Sequence, residues 1–144
     1  VPTGSAAGGG RVVDGGAVDD FAFQAKPLRK GATEGDAVHV RRAGGLAVVN
    51  ASDTLTALAR SCSGGKAKTC SAVIDGSSAT RWQVDLADGT VTPLAGTSTL
   101  RVEATDAAEP DGTGADRYGI AIGAPDGYSL SSLLLSAGNI RIVP

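Results

Sequence analysis

Few residues of this chain can carry chemistry. Among 144 residues there is no Met, one Trp, one His and two Cys, and aromatic side chains make up 3%. A lone His39 cannot complete a nucleophilic triad, and it has no second histidine or reactive cysteine with which to build a catalytic zinc site. There is no GxSxG elbow, and Gly64-Gly65-Lys66 lacks the remaining glycine of a phosphate loop. Paired carboxylates could serve glycoside hydrolysis, but that needs a cleft with aromatic walls, which this composition does not supply. Net charge is −2, so no basic field is available for nucleic acid or an anionic membrane. No apolar run reaches the ~18 residues that a spanning helix requires. The chain opens VPTGSAAGGG, which reads as a mature or excised segment. On these grounds the expectation is a non-enzymatic domain with no nucleic-acid partner and no membrane span.

What the chain does hold is strand pattern. Phe21, Phe23 and Ala25 share one face of a period-2 run. So do Val38 and Val40, then Trp82, Val84 and Leu86, then Leu100, Val102 and Ala104. Tyr118, Ile120 and Ile122 form the next set, followed by Leu130–Leu135 and by Ile140 with Ile142. Alternation places His39 and Arg41 outward and Trp82 inward as core. Turn signals separate these runs: Gly15-Gly16, Gly44-Gly45, Gly64-Gly65, Asp75-Gly76, Asp88-Gly89, Asp111-Gly112, Asp126-Gly127 and Gly138-Asn139. Ser52–Arg60 could be a short capped helix, but its neighbours favour a strand. The expected architecture is an all-β antiparallel β-sandwich of about nine to eleven short strands. Residues 1–9 are expected as a flexible segment and 10–144 as a single domain.

Cys62 and Cys70 bracket a Gly-Gly turn. Two strands leaving that turn would set the cysteines opposite each other, within disulfide reach. A structural disulfide is the favoured reading and free buried thiols are the alternative. A disulfide implies an oxidising compartment, hence export.

The best candidate site is an acidic loop. Asp106, Glu109, Asp111 and Asp116 lie close in sequence, and hard carboxylate oxygens suit Ca²⁺. The spacing is not that of an EF-hand. The plainer reading is a solvated loop in which Asp106 and Asp116 satisfy backbone N–H groups. No other cofactor is expected. Glycan binding needs exposed rings, and Tyr128, beside the Asp126-Gly127 turn, is the one aromatic expected to be partly exposed.

Several features, taken in order, resemble a known family. They are Gly8-Gly9-Gly10 before the first strand, Phe21-Ala22-Phe23 with Lys26, and Leu100–Asp106. Next come Glu109-Pro110 with Gly114 and Asp116, then Tyr118-Gly119-Ile120, and finally Gly138–Ile142. In this order they resemble the post-COAP-type C-terminal accessory domains of bacterial secreted proteins. The pattern is thin in the central third, the Cys62–Cys70 hairpin reads as an insertion, and Ala137 stands where a second glycine is common. The resemblance implies a β-sandwich, extracellular placement and attachment to other domains of a parent polypeptide. It supplies no catalytic residues. The expected function is a non-catalytic accessory module with a stabilising, spacing or surface-attachment role. The alternatives are an adhesion or assembly module pairing with a neighbouring subunit through strand edges, at Asn139–Val143 or the N-terminal segment, or a module contacting cell-surface glycan through Tyr128.

Overall fold

The computed structural model describes residues 4–64, 69–107 and 116–143. Twelve strands follow one another: β1 (Ser5–Asp14), β2 (Ala17–Pro27), β3 (Thr33–Ala43), β4 (Leu46–Ala51), β5 (Thr54–Ser63), β6 (Thr69–Ser78), β7 (Thr80–Asp85), β8 (Val91–Pro93), β9 (Ser98–Asp106), β10 (Arg117–Ile122), β11 (Tyr128–Leu134) and β12 (Ala137–Val143). One 3-10 turn, Arg29–Gly31, interrupts them. They form a seven-stranded sheet, ordered β12-β1-β2-β3-β4-β7-β8, and a five-stranded sheet, ordered β11-β10-β9-β6-β5. Every pairing is antiparallel. The expected antiparallel β-sandwich is therefore present, with slightly more strands than the turn count suggested. Ser52–Arg60 contributes to an extended strand, β5, as expected.

The core lies between the sheets and is built by alternation. Phe21, Phe23 and Ala25 of β2 are buried while Ala22 and Gln24 are exposed. Leu100, Val102 and Ala104 of β9 meet Tyr118, Ile120 and Ile122 of β10, and Ile140 and Ile142 of β12 close one side. Burying each Phe, Leu, Val or Ile among them contributes about 1.5–3 kcal/mol. The Phe21 and Tyr118 rings stack across the sheets with centroids 3.7 Å apart and planes 5° from parallel.

Several expectations are corrected. Residues 1–9 are not all a loose segment, because from Ser5 onward the chain is β1, paired with β12 on one side and β2 on the other. Asp75-Gly76 is not a turn but lies inside β6, beside a bulge between Leu55 and Ala57. A Cβ on Gly76 would come 2.4 Å from the Thr54 carbonyl oxygen, so glycine serves close backbone approach there. Gly138-Asn139 likewise lies within β12, where Gly138 has φ +99° and crosses tightly against Gly9 and Gly10.

The facing of β3 and β7 is reversed. His39 is fully buried and Val38 is 38% exposed; Arg81 is buried and Trp82 is 39% exposed. Phe21, His39, Asn50 and Arg81 are successive cross-strand partners in one row of the seven-stranded sheet, and all four side chains are buried. Toward β4 and β7 that inner row is polar, and its apolar neighbours stand on the outer face.

Candidate functional site

The polar row builds a network between the sheets. The Asp19 carboxylate can only accept, so His39 Nε2 donates to Asp19 Oδ1 at 2.8 Å. On its other side His39 Nδ1 meets the Tyr118 hydroxyl at 2.9 Å. Burial pushes the Tyr118 hydroxyl well above its ordinary pKa, so the phenol keeps its proton and donates it to Nδ1. All three residues are buried from solvent.

A second limb continues from Asn50. Arg81 Nε donates to Asn50 Oδ1 at 2.8 Å, and Asn50 Nδ2 donates to the Tyr128 hydroxyl at 3.3 Å. Arg81 Nη2 donates to the Asp126 carbonyl at 3.0 Å, tying β7 to the loop between β10 and β11. That loop holds a cis Ala124-Pro125 peptide, and Ser98 Oγ donates to the Pro125 carbonyl at 3.1 Å. Arg41 lies over the Tyr128 ring, 5.5 Å from its centroid. Arg41 Nη1 is 3.7 Å from Asp19 Oδ1, close enough for ion pairing but too long for a hydrogen bond. Asp19 Oδ2, Arg41 Nη1 and Arg81 Nη1 are buried without a hydrogen-bond partner among the described residues.

The acid–imidazole–hydroxyl order of Asp19, His39 and Tyr118 has the outline of a catalytic relay. A nucleophile must reach a substrate, and this hydroxyl is buried, holds its proton and is stacked against Phe21. Sequence alternation missed the network because it placed His39 outward. The available signal was the pairing of polar residues at one register level of β3, β4 and β7.

Two of the four acidic-loop residues are accounted for, and Glu109 and Asp111 lie outside the described residues. Asp116 Oδ1 accepts the Ala107 N–H at 2.9 Å, and its Oδ2 accepts the Ile140 N–H at 2.8 Å. Asp106 Oδ2 accepts the Ile142 N–H at 2.8 Å. Both carboxylates are buried. Burial raises the Asp106 pKa above 3.8; the Ile142 N–H opposes this, and the neighbouring Asp116 charge adds to it. With three of their four oxygens bonded to backbone N–H groups, these two residues fit poorly as the centre of a Ca²⁺ shell of six to eight oxygens. Among the described residues, no group of three or more His, Cys, Asp or Glu side chains is placed to hold a metal.

Tyr128 is half-buried and turned toward Asn50, His39 and Arg41. Its hydroxyl is pushed up to about 12, chiefly by burial. Cys62 and Cys70 form the disulfide, with S–S 2.05 Å. Among the described residues no helix is long and apolar enough to cross a membrane.

No family model, curated protein or solved structure matches this chain.

Proposed function

We propose that this chain is a non-catalytic accessory β-sandwich of an exported protein, and that it rests against a neighbouring domain of the same polypeptide. The carrying observation is the inversion of β3 and β7. Groups able to do chemistry are turned inward and bonded to one another, while Val38, Trp82 and Val91 stand exposed on the outer face. On that face Trp82 is flanked across the ladder by Val49 and Pro93. An aromatic framed by aliphatic side chains suits a packed protein contact. The Cys62–Cys70 disulfide supports an oxidising, extracellular setting. The resemblance to post-COAP-type domains supports attachment to a larger secreted protein.

The glycan reading moves from Tyr128, which packs inward, to Trp82, which is exposed. It is the weaker reading, because the cross-strand neighbours of Trp82 offer no polar groups to meet sugar hydroxyls.

Hydroxyl-radical footprinting tests the proposal. Trp82 and Val91 should label readily in the isolated chain and be protected in the parent polypeptide. Equal labelling in both would refute docking through this face. A shift of Trp82 emission on adding polysaccharide to the isolated chain would favour the glycan reading instead.

A further inference from the structure

Arg81 is a buried cation with no anion beside it. The residue is 1% exposed, and among the described residues no carboxylate stands within ion-pair reach of it. A guanidinium keeps its proton inside a protein, so Arg81 cannot shed this charge as a buried lysine can. A buried charge left uncompensated is strongly destabilising. Two of its nitrogens are spent on neutral acceptors: Nε on Asn50 Oδ1 and Nη2 on the Asp126 carbonyl. Nη1 is buried and has no acceptor among the described residues.

The nearby carboxylates are committed elsewhere. Asp19 takes the His39 Nε2 proton and faces Arg41 Nη1 at 3.7 Å. Asp14, at the solvent rim, comes to 4.0 Å from Arg41 Nη2. Both answer the charge of Arg41, not that of Arg81. Asp106 and Asp116 stand at the far end of β9 and β10, away from the Ser98–Pro125 contact. There they hold the N–H groups of Ile142 and Ile140, on the β12 edge expected to pair at Asn139–Val143.

A second donor stands on the same limb. Asn50 turns its Oδ1 to Arg81, so its N–H₂ faces Tyr128, and the Tyr128 hydroxyl accepts. The O–H of Tyr128 is then committed to no acceptor among the described residues. Burial keeps that proton on the phenol. Arg41 lies over the Tyr128 ring and is 23% exposed, which gives a way in from solvent.

We propose that Arg81 Nη1 and the Tyr128 hydroxyl hold a small monovalent anion of the size of chloride, between β7 and the loop joining β10 to β11. A water would satisfy the N–H but not the charge. Close packing around so buried a residue admits only an ion of one or a few atoms. The anion adds to the tie that Arg81 makes to the Asp126 carbonyl.

Thermal melts at constant ionic strength, with sodium chloride replacing sodium gluconate, read the site. An ion that binds only the folded chain raises the melting temperature saturably, here by about 3 °C or more at high-millimolar chloride. Chlorine NMR of the native chain should show excess line broadening that bromide displaces. Folded Arg81→Gln should show neither effect. If Arg81→Gln does not fold, Tyr128→Phe decides: it keeps the ring and removes the O–H, so the chloride midpoint should rise about tenfold. No saturable shift and no excess broadening in the native chain would overturn the proposal. So would effects that persist unchanged in folded Arg81→Gln or in Tyr128→Phe, which would mark an ion held elsewhere on the surface. A rise given by acetate or phosphate but not by chloride would also overturn it.

Discussion

Asp116 accepts the N–H of Ile140 at 2.8 Å across 24 positions of sequence, and with its other oxygen it accepts the N–H of Ala107. One buried carboxylate thus joins the end of β9, the start of β10 and the outer edge of β12. Hydrogen bonds to an ionised acceptor contribute about 1.5–3 kcal/mol each.

Asp116→Asn should therefore destabilise the domain by about 3 kcal/mol, because an amide keeps one acceptor and turns an N–H₂ toward a backbone donor. Urea denaturation gives the number. A loss below about 0.5 kcal/mol would mean that this carboxylate does not hold β12.

Acid stability should carry a signature of Asp106. Its pKa is raised, so the folded state holds the proton more tightly than the unfolded chain. As pH falls from that raised value toward 3.8, this group adds stability. Asp20, lowered chiefly by its hydrogen bond from Arg11, works in the opposite sense: its contribution is present above 3.8 and is lost as pH falls through its folded value. Asp106→Asn removes the compensating contribution, so melting temperature should fall more steeply on acidification above 3.8 than in the parent protein. Parallel curves would contradict this.

Tyr118→Phe tests the buried network. The ring keeps its stack on Phe21, but His39 Nδ1 loses its partner inside the core. A loss of about 1–3 kcal/mol is expected, with the fold retained by circular dichroism. An unchanged stability would show that the hydroxyl is not needed to satisfy His39.

Calcium should leave the melting temperature where EDTA leaves it. The described carboxylates of the acidic region are bonded to β12 and Ala107, and a cation stabilises a fold only by binding it in preference to the unfolded chain. A clear rise in millimolar Ca²⁺ would bring the calcium reading of Asp106, Glu109, Asp111 and Asp116 back to the front.

The sequence by itself determined the class of the fold. Period-2 patterns at Phe21–Ala25, Leu100–Ala104 and Ile140–Ile142 name their own inner faces, because apolar side chains alternate with polar ones and only one arrangement buries them. The Cys62–Cys70 pairing was legible too, since the turn between two strands sets the cysteines opposite each other. Only the tertiary structure decided which way β3 and β7 face. Val38-His39-Val40 and Arg81-Trp82-Gln83 alternate equally well in either direction, and a one-residue change of facing exchanges every side chain between core and solvent. The choice is made by partners distant in sequence: Asp19 and Tyr118 satisfy His39, and Asn50 and the Asp126 carbonyl satisfy Arg81. The same holds at the edges. Two aspartates close in sequence to further acidic residues look like a metal site until the fold brings the donors of β12 to them.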